Sequence, residues 1–321
     1  MPRARSGGAR LNASSATLAA PRRVDTFSEH LHARAAAARS VVCLGLDPRP
    51  DAHPLTAGKA GARETAKAVA DYLVAVLDAA HDLVACCKPQ SAFFEALGLP
   101  GLEALATVMH HARSLDLPVI LDAKRGDIGS TAEAYANAYL TEGDLAADAL
   151  TVNPYLGLDT LEPFIAAAQK HGRGLFVLVR TSNPGSADLQ EAPSAAGEPL
   201  YLRLANALNE RAAALPRDAW GYTSLGAVVG ATQPAASSEL RGKLPASLFL
   251  VPGYGAQGGS AADATHAFDA NGWGAVVNAA RSITYPAGAA SAATLREVGA
   301  AARSAAASMR GDLEEALAAR S

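Results

Sequence analysis

From Ser40 onward one pattern recurs: a short, nearly continuous apolar run, a polar or turn residue, then an Ala/Leu-rich helical stretch. The runs are Val41–Leu46 ending at Asp47, Leu83–Cys87 ending at Lys88, and Val119–Leu121 ending at Asp122 and Lys124. Next come Ala149–Val152 into Asn153-Pro154, Leu175–Val179 into Thr181-Ser182, and Leu225–Val229 into Gly230. The last two are Leu248–Val251 into Pro252-Gly253, and Ala275–Val277 into Asn278 and then Arg281. Runs apolar at every position read as parallel strands covered on both faces. The stretches between them, such as Glu64–Ala80 and Leu102–Ser114, predict covering helices. Eight such repeats fit a closed (β/α)8 TIM barrel of one domain better than an open sheet. The polar stretch Asp188–Glu198 reads as a solvated loop inserted after the fifth strand. A final helix, about Ser291 to Ala319, has no strand after it.

The polar punctuation is consistent in place. Asp47, Lys88, Asp122, Lys124, Ser182 and Gln257 all fall at or just past the C-terminal ends of strands, the rim where barrels build active sites. Any one of them could be tied into a structural ion pair, but six on one rim point to a site. In Leu121-Asp122-Ala123-Lys124-Arg125-Gly126-Asp127, residues two apart in a strand share a side, so Asp122 and Lys124 both face the barrel interior or its mouth. Interior charges are costly unless paired. Asp127 lies past the strand end on the following loop. The Asp122-Lys124-Asp127 cluster, with Lys88 on the neighbouring strand, would form an alternating-charge array that holds one lysine ready as a proton donor.

Composition narrows the alternatives. Of the 321 residues 50% are hydrophobic, enough for a large core, and the net charge is -3, which points to neither nucleic acid nor a membrane surface. Length alone would suggest about two domains of ~150 residues each, but α/β barrels run to ~250 residues as one unit. No apolar run reaches the ~20 residues that span a bilayer. Cys43, Cys86 and Cys87 lack metal-ligand spacing and read as buried small hydrophobes in a reducing compartment. His110 and His111 fall in a predicted helix with surface or packing roles. No dinucleotide fingerprint, Walker loop or clustered His/Cys ligand set is present. Met1 to about Arg23 holds five arginines and no acid. That composition suits an organellar transit peptide as well as a tail, and the reading adopted is a disordered tail over 1–24 before a barrel domain over 25–321 in a cytoplasmic protein.

The segment Asp122-Ala123-Lys124-Arg125-Gly126-Asp127-Ile128-Gly129-Ser130-Thr131 resembles the orotidine 5′-phosphate decarboxylase superfamily, in the form of its second bacterial type. The commoner type differs where this chain has Arg125 and Gly126, and has proline at Gly129. Further segments agree in order: Gly45–Pro48, Lys88–Glu95, Thr151–Tyr155, Arg180–Gly185, Val251–Gly259 and Asn278–Ile283. The resemblance implies decarboxylation of orotidine 5′-phosphate to UMP without metal or cofactor. It makes Lys124 the proton donor to C6, sets Asp122 against the substrate carboxylate, and has Lys88 bridge the carboxylates and the ribose. Asp47 would bind a ribose hydroxyl, Ser182 the pyrimidine, and Gln257 with Arg281 the phosphate, under a lid at Gly253–Gly259. Asp127 and Thr131 would cross into the partner's site, which implies a homodimer. Ser182 also sits in strong turn chemistry, and Asn153 caps or positions the fourth loop. A related sugar-phosphate decarboxylase would need magnesium and an acid where Lys88 stands. A non-catalytic phosphate-binding barrel would need only Gln257 and Arg281.

Overall fold

The computed structural model describes residues 26–255 and 257–320. The expected tail over 1–24 lies outside the described residues. The apolar runs form eight strands: β1 (Val42–Leu46), β2 (Cys86–Pro89), β3 (Ile120–Arg125), β4 (Ala149–Val152), β5 (Gly174–Arg180), β6 (Thr223–Val229), β7 (Ser247–Val251) and β8 (Ala275–Ala279). The paired order is β2-β1-β8-β7-β6-β5-β4-β3, with every pair parallel. Parallel bridges from Cys87 to Val119 and from Gln90 to Asp122 join β2 to β3 and close the ring. The fold is a single (β/α)8 barrel.

The helices are α1 (Phe27–Ala38), α2 (Ala62–Ala80), α3 (Ser91–Glu95), α4 (Leu99–Ser114), α5 (Gly129–Leu140), α6 (Glu162–His171), α7 (Ala187–Gln190), α8 (Leu200–Ala213), α9 (Pro234–Lys243), α10 (Ala261–Thr265), α11 (Arg281–Thr284) and α12 (Leu295–Ala318). Two apolar layers follow from strand alternation. Val42, Leu44, Leu121, Val177 and Val251 pack outward against the helices. Cys43, Cys86, Ile120, Ala149, Phe176, Leu248 and Val276 fill the barrel. Phe27 and Leu31 of α1 join this inner cluster and close its N-terminal mouth. There His32 Nδ1 lies 2.8 Å from Asp218 Oδ2, both buried.

The inward parity continues upward into the site. Cys86 is followed by Lys88 and Gln90, Ile120 by Asp122, Ala149 by Thr151, and Val276 by Asn278. Each polar residue stands one or two inward positions above an apolar one, so the barrel changes from core to site within a single layer of side chains.

Two sequence expectations are corrected. The second strand starts at Cys86, because Leu83 belongs to a 3-10 turn, His81–Leu83, and β2 pairs with β1 from Cys43–Cys86 to Leu46–Pro89. Lys88 is therefore inside the strand. The Asp188–Glu198 stretch is also more than a solvated loop. Its first residues form α7, Pro193 bridges Pro199, and Glu191 pairs with buried Arg180.

Candidate active site

The C-terminal mouth opens into a cavity of about 1060 Å³ whose walls include Asp47, Lys88, Asp122, Lys124, Ser182 and Gln257. The centre is an ion-pair ladder. Lys88 Nζ lies 2.9 Å from Asp122 Oδ2 and 4.0 Å from Asp47 Oδ1. Lys124 Nζ lies 2.6 Å from Asp122 Oδ1. Asp47, Lys88, Asp122 and Lys124 thus alternate in sign and balance in charge. Lys88 is only 3% exposed and Asp122 6%, whereas the Lys124 side chain is 45% exposed toward the cavity.

The pairing dictates the titration. Burial alone would push the Asp122 carboxyl up, but the Lys88 and Lys124 ammonium groups, and the hydrogen bonds they donate, hold it well below the usual carboxylate range. Burial would push Lys88 down, but Asp122 and Asp47 hold it above the usual lysine range. Asp47 behaves the other way. Its burial, aided by the like charge of Asp122, outweighs the attraction of Lys88 and raises it.

Two residues that the sequence reading passed over complete the ladder. Gln90 Nε2 donates to Asp122 Oδ2 at 2.9 Å. Thr151 Oγ1 donates to Asp122 Oδ1 at 2.9 Å and accepts from the backbone N–H groups of Ala123 at 3.1 Å and Lys124 at 2.9 Å. Both had a signal: Gln90 shares the parity of Lys88, and Thr151 is the polar residue in an otherwise apolar strand. Asp122 and Lys124 both reach the cavity, but not along a regular pleat. Lys124 has φ 47°, and the β3–β4 register shifts between Leu121 and Arg125. The ammonium therefore returns to Asp122 through a kink rather than along a regular strand.

Arg125 braces that kink. Its guanidinium donates to Ala123 O at 2.9 Å, pairs with Glu95 at 2.5 Å, and lies 5.5 Å from the ring centroids of both Tyr135 and Tyr139. Gly126 follows because a Cβ there would stand 2.6 Å from Asn153 O. Asn153 Oδ1 in turn accepts from Tyr155 N at 3.0 Å, the loop-positioning role expected of it.

Across the mouth, Ser182 Oγ donates to Gln257 Oε1 at 2.6 Å, joining the loops after β5 and β7. The other three named residues stand apart from the cavity wall. Asp127 is half-buried, and its Oδ1 accepts from the next backbone N–H, that of Ile128, at 2.8 Å. Thr131 is exposed on α5, and Arg281 is exposed at the start of α11. Among the described residues no three His, Cys, Asp or Glu side chains gather as a metal-binding group, and no helix is long and apolar enough to cross a membrane.

Fold and site together define a (β/α)8 barrel with a lysine–carboxylate ladder at its C-terminal mouth. Residues 40–295 match the model of the orotidine 5′-phosphate decarboxylase / HUMPS family, and the chain belongs to that family. It is 47% identical over 269 residues to the orotidine 5′-phosphate decarboxylase of Rhodopirellula baltica, covering 81% of this chain and 88% of that one. It is 44% identical over 292 residues to that of Deinococcus radiodurans, covering 91% and 98%. Among solved structures it is similar to Leishmania donovani OMP decarboxylase, at 32% identity and TM-score 0.72 over 91% of this chain and 98% of that one.

Proposed function

We propose that this protein decarboxylates orotidine 5′-phosphate to UMP, the closing step of pyrimidine nucleotide synthesis, with Lys124 as the proton donor. Relatives bearing that name over most of both chains support the reaction. The observation that carries the lysine's role is its placement: Nζ sits 2.6 Å from Asp122 Oδ1, and the side chain is half-exposed on the cavity wall.

The bond between C6 and its carboxylate breaks, carbon dioxide leaves, and the electron pair stays on C6. The Lys124 ammonium stabilises that developing charge and then delivers its proton to C6. Water returns a proton to the amine. Asp122 faces the departing carboxylate and keeps Lys124 in line. Lys88 neutralises the two carboxylates and reaches the ribose, and Asp47 takes a ribose hydroxyl. Ser182 contacts the pyrimidine, and Gln257 with Arg281 receives the phosphate. Phosphate contacts remote from C6 supply energy for closing the mouth. Asp127 and Thr131 lie outside their own cavity, which suits side chains that complete the partner's site in a homodimer. The working compartment is the cytoplasm.

The test is the fall in ultraviolet absorbance when EDTA-treated protein meets orotidine 5′-phosphate, with Lys124→Ala alongside. Turnover by the wild type that is lost in the variant is expected. A folded wild type without turnover would refute the reading, and an active Lys124→Ala would remove the lysine from the mechanism.

A further inference from the structure

Arg180 ends β5, is 2% exposed, and spends its guanidinium on one segment of the chain. It donates to Ser186 Oγ at 2.5 Å and to Gln190 Oε1 at 3.2 Å, pairs with Glu191, and lies 5.9 Å from the ring centroid of Tyr201. Ser186 lies just before the inserted stretch, Gln190 and Glu191 lie within it, and Tyr201 is in the first turn of α8. Gln190 passes the connection on. Its Oε1 also accepts from Thr181 N at 2.9 Å, and its Nε2 donates to Thr181 Oγ1 at 2.8 Å. Thr181 Oγ1 donates to Asn183 Oδ1 at 2.7 Å. Ser182 stands between these two, with its Oγ on Gln257 and its carbonyl accepting from Thr232 Oγ1 at 3.3 Å.

A guanidinium withdrawn from water is costly, and replacing a buried ion pair by a hydrophobe is often neutral for folding. Stability alone does not call for arginine here. What an apolar side chain cannot do is hold Ser186, Gln190 and Glu191 at once through a planar fork.

We propose that Arg180 is a positioning residue: it fastens the inserted segment to the barrel so that Gln190 fixes the Thr181–Asn183 loop and Ser182 meets the pyrimidine. The inference rests on the reading of Ser182 as a base contact. The insertion is then a frame for base recognition, with the phosphate reached only through Ser182 and Gln257.

The experiment compares wild type, Arg180→Met and Arg180→Lys in affinity for UMP and for ribose 5-phosphate by calorimetry, with melting temperature and decarboxylation kinetics on the same samples. Arg180→Met should weaken UMP by about tenfold to a hundredfold, as for a displaced contact, and ribose 5-phosphate by several-fold less, since the phosphate feels the loop only through Ser182 and Gln257. Arg180→Lys should recover only part, since it restores the charge and not the fork. Equal loss of both ligands, or a lower melting temperature with both affinities intact, would overturn the proposal. So would a wild type that binds UMP no better than ribose 5-phosphate. A wild type that binds UMP selectively without turnover would instead sink the decarboxylase reading and leave Arg180 to be judged on affinity. If Arg180→Met does not fold, Glu191→Ala removes the carboxylate partner from a half-exposed position, and a several-fold loss, larger for UMP than for ribose 5-phosphate, is expected.

Discussion

Lys124 reaches Asp122 through a left-handed backbone: its φ is 47°, and Nζ stands 2.6 Å from Asp122 Oδ1. A side chain in that region costs about 1–2 kcal/mol, and the strain falls on the residue proposed to carry the proton. Lys124→Gly and Lys124→Ala both remove the ammonium, but only glycine relaxes the backbone. Both should be inactive, and the glycine variant should be the more stable by about 1 kcal/mol in denaturant melts. The reverse order would show that the kink is unstrained.

Thr151 is the pin of this kink, since its one hydroxyl binds Asp122 and two backbone N–H groups. Thr151→Val keeps the shape and leaves those N–H groups without their acceptor. A loss of about 1–3 kcal/mol is expected from the unmet buried donors. kcat should fall while KM stays near the wild-type value, because Lys124 moves and no ligand contact is lost. Equal changes in kcat and KM would place Thr151 in binding instead.

Much of this was legible in the sequence for a physical reason. Parallel strands buried on both faces leave continuous apolar runs, so Ala149–Val152 could be bounded from composition alone. The polar residue after each run marked the rim, and Asp47, Lys88, Asp122, Lys124, Ser182 and Gln257 all reach one cavity. What escaped depended on pairing between strands. Parity and polarity mark Gln90 and Thr151 as inward and polar, but that both bind Asp122 shows only when β2 and β4 are set beside β3. The left-handed turn at Lys124 follows from a register shift that no single strand encodes. The tie from Arg180 to Glu191 was hidden because a polar insertion looks solvated until its buried partner is known. Asp127, Thr131 and Arg281 could be named from the resemblance, but strand parity does not tell that they stand apart from the cavity wall.

Gly230 offers a test of the loop that carries Ser182. A Cβ on Gly230 would stand 2.9 Å from the N, Cα and Cβ atoms of Ser182. Backbone atoms cannot yield as a flexible side chain can, so Gly230→Ala must push the loop. A stability loss of about 1–3 kcal/mol is expected. KM for the nucleotide should rise about tenfold to a hundredfold if Ser182 meets the base. An unchanged KM in the folded variant would separate Ser182 from base binding.

Asp122 and Asp47 lie in one cavity, yet their charges should act on stability with opposite sign. The Asp122 carboxyl is held low by Lys88 and Lys124, so its contribution is complete above the ordinary carboxylate range and is lost as pH falls through its depressed value. Lys88 is held high, so its contribution is complete below the ordinary lysine range and is lost as pH rises through its raised value. Asp47 is raised by burial, so ionising it costs the fold, and the cost builds as pH rises from the ordinary carboxylate value and is complete above its raised value. At neutral pH, Asp122→Asn should therefore lose about 3–5 kcal/mol, because it strands a buried lysine. Asp47→Asn should melt above the wild type at the same pH. The Asp47→Asn difference should shrink as the solution is acidified through the carboxylate range, where Asp47 itself becomes neutral. The Asp122→Asn difference should persist at mildly acidic pH, because the Asp122 carboxyl titrates below that range. Melting temperatures of the three proteins from mildly acidic to neutral pH measure this directly. If Asp47→Asn were instead destabilising at neutral pH, the attraction of Lys88 across 4.0 Å would outweigh the burial of Asp47.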